Sequence, residues 1–260
     1  MKQSEYSLTI GWLFPKLMST YGDRGNIIAL QKRCEWRGIK IEVLNIDQSI
    51  NDQYLMTIDL LFGGGAQDRE QGIVMKDLYK KKGAIKKLIE KNTPALFVCG
   101  SPQLMGNYYE PLEGKRIEGL GIFDMKTVHQ ESKQERLIGN IIAEIDTRSL
   151  DYPLRDKVIV GFENHGGRTY LGKNVKPFAK VLKGFGNNGK DGTEGAVYKN
   201  AIGCYFHGPL LPKNPSVADF LIQKALQVKY DKEIKLQTLN DSLENKARYA
   251  IAKKLGYDII

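Results

Sequence analysis

Three short apolar runs in the N-terminal part of the chain each stop at glycine or a compact turn, and each is followed by residues at helical spacing. Leu8 to Phe14 leads into Tyr21-Gly22-Asp23-Arg24-Gly25-Asn26, then into a helix with Ile27, Leu30, Gln31 and Cys34 near one side, closed by Gly38. Ile58 to Phe62 leads into Gly63-Gly64-Gly65, and Val74, Leu78, Ile85, Leu88 and Ile89 then recur at helical spacing across 74–91. Ala95 to Val98 leads into Cys99-Gly100, with the next helix expected over 102–108. Ile39 to Ile46 supplies one more strand. Strands that lack polar alternation are buried on both faces, and strand–helix alternation of this kind packs as a parallel sheet with helices on each side.

The C-terminal half changes character. Arg136 to Ile145, Val158 to Glu163, Ala196 to Lys199 and Ala201 to Phe206 read as strands without long helices between them, and are expected to add antiparallel strands to the sheet. The Gly- and Asn-rich loop Gly184 to Gly195 is expected to be mobile. Helices are predicted over 217–230 and 240–255, the second with Leu243, Ala247, Ala250, Ile251 and Leu255 on one side, a face that packs on the core or, as the alternative, docks a partner. The fold class this implies is α/β: a flavodoxin-like three-layer sandwich with a mostly parallel central sheet extended by antiparallel strands. Residues 1–230 form the main domain in this reading, and 231–260 a C-terminal helical extension.

Composition narrows the class. With 42% hydrophobic residues the 260-residue chain can bury a sizeable core, so disorder is excluded as the general state. Cys34, Cys99 and Cys204 are odd in number and widely spaced, which fits neither a disulfide framework nor a zinc site. The polar stretch from Met1 to Tyr6 has no signal-peptide apolar region, and no apolar run reaches membrane-spanning length. A reducing cytoplasm is the expected location, at the inner face of a membrane but not in it. The formal net charge of +9 is spread along the chain, and lysine runs such as Lys80-Lys81-Lys82 read as solvated helix faces; no nucleic-acid motif accompanies them.

The chemistry concentrates where strands end, because in such sheets sites form at the carboxyl edge. That edge gathers the loops 21–26, 63–69 and 99–103. Cys99 sits between a buried strand and a helix, the strand–nucleophile–turn–helix elbow that exposes a side chain above the sheet. A helix N-terminus behind the sulfur favours the reactive thiolate. Gly100 permits close backbone approach, so its N–H can serve a developing oxyanion. The bland alternative, a small core residue at the end of a strand, would win for an isolated cysteine without these flanks. Gly64 and Gly65 are candidates for the second oxyanion donor, although a flexible turn would have the same composition. His207, ending a strand before Gly208-Pro209, can face the nucleophile as general base. His165 in Glu163-Asn164-His165-Gly166-Gly167-Arg168 is the rival base, and His129 reads as a loop residue without a role.

The Cys99 elbow with Gln103, the triple-glycine loop and the strand ending in His207-Gly208-Pro209 resemble class I glutamine amidotransferases of the cobyric-acid-synthase-like branch. Tyr21-Gly22-Asp23-Arg24-Gly25-Asn26 and Gly161-Phe162-Glu163-Asn164-His165-Gly166-Gly167-Arg168-Thr169 look more closely like the glutaminase subunits of lipid II isoglutaminyl synthases. The resemblance implies that Cys99 attacks L-glutamine, that Gln103 holds the substrate, and that Arg136 clamps its α-carboxylate. It also implies a Mur-ligase-like synthetase as partner in a heterodimer, amidating the D-glutamate of lipid II in peptidoglycan synthesis. No phosphate-binding Gly-x-x-x-x-Gly-Lys-Ser/Thr loop is present, so no cofactor is expected on this chain, and ATP and magnesium are expected on the partner.

Many class I members carry a glutamate two residues after the histidine, where this chain has Pro209. The resemblance points to Asp23 as the third member of the triad, although Asp23 suits a helix N-cap equally well. Glu163, Glu194 or a Cys–His dyad alone are the alternatives. A cobyric-acid-type amidation, a cysteine peptidase-like thiol hydrolase and a non-catalytic binding subunit remain as other functions that the residues allow.

Overall fold

The computed structural model describes residues 5–129, 136–147, 149–150 and 154–259. Residues 1–4 of the polar N-terminal stretch, and Glu135, lie outside them. In chain order the N-terminal half forms β1 (Ser7–Leu13), α1 (Arg24–Glu35), β2 (Lys40–Ile46), α2 (Asp52–Leu55), β3 (Leu60–Gly63), α3 (Asp68–Glu90), β4 (Ala95–Val98) and α4 (Gly100–Met105). Then follow β5 (Tyr108–Glu110), β6 (Ile117–Glu118), β7 (Met125–His129), β8 (Leu137–Ile145), β9 (Val158–His165) and β10 (Gly167–Leu171). The chain continues through β11 (Ala179–Lys183), β12 (Thr193–Glu194), β13 (Ala196–Tyr198), β14 (Ala201–Cys204), α5 (Pro215–Tyr230) and α6 (Ser242–Lys254).

The central sheet has the order β13-β14-β4-β3-β1-β2. From β14 to β2 all neighbours are parallel, and β13 adds an antiparallel edge. Side chains alternate between two cores, as the two-residue period of a strand requires. Leu60, Phe62, Leu96 and Val98 join α1 and α5 on one face, with Ile27, Leu30, Leu221 and Ala225. Leu61, Ala95 and Phe97 join α3 on the other, with Val74, Leu78 and Ile85. Each fully buried Leu, Ile or Phe contributes roughly 2 kcal/mol. Both faces are therefore sealed, and function is left to the sheet edge. This is the three-layer sandwich the sequence implies.

The second half departs from expectation in detail. β14 runs parallel to β4, not antiparallel. β8 and β9 do not extend the central sheet; they pair with each other and with β11 and β12 in a separate antiparallel sheet. A further small sheet, β10-β7-β5-β6, flanks α4. The helix expected over 102–108 stops at Met105, and Tyr108 already lies in β5. The loop 184–195 is pinned rather than loose. Asn187 exchanges two hydrogen bonds with Gly195, and the Glu163 carboxylate accepts the amides of Phe185 and Gly186. In α6 only part of the expected side faces the core, with Ile251 and Leu255 packed against it. Arg248 and Ala252 are buried, whereas Leu243 is 76% exposed.

Candidate active site

The backbone at Cys99 has φ 55° and ψ −99°, a conformation that a non-glycine residue adopts only when the surrounding fold enforces it. β4 ends at Val98, Cys99 turns the chain, and α4 begins at Gly100, so the elbow forms as the sequence indicates. The Cys99 amide donates to the Cys204 carbonyl on β14, which holds the turn to the neighbouring strand.

β14 also delivers the candidate base. His207 lies three residues beyond its end, wholly buried, and is fixed by an antiparallel bridge to Phe162 at the end of the second sheet. Its Nδ1 is 3.1 Å from Asp23 Oδ1. Its Nε2 has no hydrogen-bond partner among the described residues. Burial alone would strip the ring of its proton. Charge on the adjacent Cys99 sulfur and the Asp23 carboxylate overcome that and raise the imidazole to about 10. Tyr21, left-handed at φ 53° and half exposed, packs edge-on against the imidazole with ring centroids 5.0 Å apart.

Asp23 stands at the N-cap position of α1, yet its side chain makes no cap. One oxygen faces His207 and the other accepts the Gly65 amide at 2.6 Å. The choice between cap and triad partner therefore falls to the latter geometry. The other two carboxylates are occupied elsewhere. Glu163 holds the 185–186 turn, and Glu194 accepts the Tyr205 amide at 2.6 Å. Burial pushes Glu194 up to about 8, so it is neutral near pH 7.

The triple glycine has a reason the sequence did not show. A Cβ on Gly64 would lie 3.1 Å from Asp23, and one on Gly65 would lie 3.0 Å from the His207 ring. The loop is glycine because the Met18 carbonyl, 2.5 Å from a Gly64 Cβ, and the Thr20 hydroxyl, closer still to a Gly65 Cβ, fill those positions, with Asp23 and His207 packed just beyond. Gly65 is thereby corrected as an oxyanion donor, since its N–H is spent on Asp23. Gly64 presents its carbonyl to Ser101. The Ala66 amide nitrogen, which sequence reasoning missed, lies 2.8 Å from where a Gly100 Cβ would sit. The Ala66 backbone therefore packs against Gly100, and Ala66 lines the same cavity as Cys99.

Cys99, Gln103, Ala66, Arg136, His165 and Tyr21 line one cavity of about 430 Å³, suited to a small polar molecule. Arg136 reaches it from the rim, its guanidinium steadied by the side chain and carbonyl of Asn164. Gln103 is buried in the floor, accepting from Gln71 and donating to Tyr205. The rival base, His165, stacks on Tyr205 with ring centroids 3.8 Å apart and pairs Nδ1 with the Gly167 carbonyl. Burial lowers its proton affinity, and it serves as a wall. His129, set aside at first, also lines this cavity. Only long-range strand pairing brings it there, opposite Gly167.

A strained cysteine at a strand end, a buried imidazole–carboxylate pair and the Gly100 and Ala66 backbone packed together are the parts that a thiol acyl-transfer site requires. Residues 9–215 match the model of the CobB/CobQ-like glutamine amidotransferase domain. The chain belongs to this family. It is 42% identical to the lipid II isoglutaminyl synthase (glutamine-hydrolyzing) subunit GatD of Staphylococcus aureus (strain N315), over 86% of each chain. The Streptococcus pneumoniae (strain ATCC BAA-255 / R6) protein of the same name is 38% identical over 92% of this chain and 88% of its own. A cobyric acid synthase of Clostridium botulinum (strain Alaska E43 / Type E3) is 31% identical over 65% of this chain but only 33% of its own length. Among solved structures, a glutamine amidotransferase superposes over 83% of this chain and 98% of its own, with a TM-score of 0.56 at 14% identity, a likeness of fold. The chain is a glutamine amidotransferase, an enzyme that hydrolyses glutamine.

Proposed function

We propose that this chain is the glutaminase subunit of a two-subunit amidotransferase that converts the D-glutamate of lipid II to D-isoglutamine. The observation that carries the chemistry is the shared cavity: Cys99 and Arg136 line it together, with His207 and Asp23 packed behind the sulfur. The names borne by the Staphylococcus and Streptococcus relatives, aligned over most of both chains, support the acceptor. The cobyric acid synthases align over a third of their own length and support an amidation of another kind less well.

The Cys99 sulfur attacks the side-chain amide carbon of L-glutamine, whose α-carboxylate lies on the Arg136 guanidinium. The carbonyl oxygen becomes an oxyanion held by the Gly100 and Ala66 amides. His207, protonated in the resting pair, gives its Nε2 proton to the departing nitrogen, and ammonia leaves. A water then loses its proton to His207 and adds to the thioester carbon. Collapse releases glutamate and restores the sulfur and the protonated imidazole. Asp23 holds the ring orientation throughout. Gln103 supports the floor of the substrate site from within the Gln71–Tyr205 network.

Ammonia passes to a Mur-ligase-like synthetase in a heterodimer, and ATP and magnesium belong to that partner. The reading places the complex in the cytoplasm, at the inner membrane face where lipid II is built; among the described residues no helix is long and apolar enough to cross a membrane. The test is ammonia release from L-glutamine by the purified chain and its Cys99→Ala variant, each with and without the co-expressed synthetase. Release that needs Cys99 and rises with the partner is expected. Equal inactivity of both proteins with the partner present would sink the glutaminase reading.

A further inference from the structure

Ser101 is wholly buried on the first turn of α4, two residues after the nucleophile. Its hydroxyl does not turn back onto its own helix, as serines often do. It donates across to the Gly64 carbonyl. That carbonyl belongs to the same peptide unit as the Gly65 N–H, which donates to Asp23. One planar peptide is therefore gripped at both ends, by the nucleophile's helix and by the carboxylate that orients the base. The next peptide is oriented too. The Gly65 carbonyl accepts the Thr20 amide at 3.2 Å. In a trans peptide the N–H points opposite to the carbonyl, so the Ala66 N–H is turned away from Thr20, and its nitrogen sits close against Gly100. Gly63 completes the fit, since a Cβ there would lie 2.6 Å from the Ser101 hydroxyl oxygen.

We infer that Ser101 is a positioning residue for the oxyanion site: it sets where the Ala66 amide stands relative to the Cys99 sulfur. The inference rests on the glutaminase reading above. Small displacements of a transition-state donor are costly, because the donor must meet the oxygen where charge develops.

The experiment separates two reactions of one thiol. Hydrolysis of glutamine needs the oxyanion donors, whereas alkylation of Cys99 by iodoacetamide needs the activated sulfur but forms no oxyanion. For Ser101→Ala, kcat for ammonia release by the synthetase complex should fall about 10- to 100-fold with KM within about twofold. The rate and pH profile of Cys99 alkylation should match wild type. Ser101→Cys, which keeps a weaker donor, should be intermediate in kcat. It carries the same test should the alanine variant fail to fold. A wild-type kcat in the folded variant overturns the inference, and so does a fall in alkylation equal to the fall in kcat, which would mark simple damage to the elbow. If the wild-type complex releases no ammonia, the glutaminase reading falls first and this inference with it.

Discussion

Two regions of the molecule bury carboxylates against cations, and they do so to opposite ends. Around Arg33 the pairing is saturated. Its guanidinium makes a two-pronged contact with Asp219 at 2.7 and 2.8 Å and a third contact with Asp241 at 2.7 Å. Arg37 takes Asp219 as well, and Arg155 takes the other Asp241 oxygen. Burial opposes ionisation of Asp241, but Arg33 and Arg155 hold its carboxyl below the usual range. This network fastens the start of the C-terminal segment, ahead of α6, onto α1 and α5. At the sheet edge the pairing is deliberately incomplete. Asp23 serves His207 and Gly65, while His207 Nε2 is left without a hydrogen-bond partner among the described residues. A satisfied network has nothing left to offer a substrate; an unsatisfied one beside a strained cysteine does.

The sharpest way to break this comparison is Asp23→Asn. The amide can still touch Gly65 but no longer supports an imidazolium. We expect kcat for ammonia release to fall by about 10²-fold or more, roughly 3 kcal/mol in barrier. The His207 titration, followed by NMR, should move down from its raised value. An unchanged kcat would return the role to a Cys–His dyad. In the wild type the sign of the linkage follows from that raised value. The His207 contribution to stability is complete below the ordinary histidine range and is lost as pH rises toward about 10.

Arg33→Met attacks the other region. It takes one cation from each of Asp219 and Asp241, leaving them Arg37 and Arg155, and urea unfolding should show a loss of about 1.5–3 kcal/mol. At temperatures where the variant is folded, kcat/KM should stay within about twofold of wild type, since nothing in the network reaches the cavity. A large loss of activity without loss of stability would show that the two regions are coupled.

The smallest effect concerns Glu194, a neutral carboxyl behind the base. Its folded value of about 8 lies above the ordinary carboxyl value, so the fold keeps a proton that the unfolded chain releases. Ionisation therefore weakens the fold as pH climbs from about 4.5 to 8. Glu194→Gln keeps an acceptor for the Tyr205 amide without that penalty. Its thermal midpoint should equal wild type near pH 5 and exceed it by a few degrees near pH 8.5. Parallel pH curves for the two proteins would refute the neutral assignment.

Much of the site was legible because its signals are local. The elbow needs a strand, a cysteine, a glycine and a helix in direct succession, and all four lie within Ala95–Met105. The choice of His207 over His165 also followed from a strand end. What was misread depended on distance along the chain. The triple glycine looked like a supply of free amides, but Ser101, the Met18 carbonyl and Thr20, with Asp23 and His207 just beyond, occupy the space its side chains would fill. The 184–195 loop looked loose from its composition, but buried Asn187 and Glu163 fasten it.

By itself the sequence determined the alternating strands and helices and the parallel sheet with its carboxyl edge, and it named the candidates for nucleophile and base. Those follow from side-chain periodicity and from chemistry confined to a few consecutive residues. Only the tertiary structure decided which carboxylate meets the base, because Asp23 and His207 are 184 residues apart. It also decided that Ala66 rather than Gly65 has its amide beside Gly100, and that β8 and β9 leave the central sheet. Each of those outcomes is a competition between distant partners for one hydrogen bond or one strand edge, and no local pattern records who wins it.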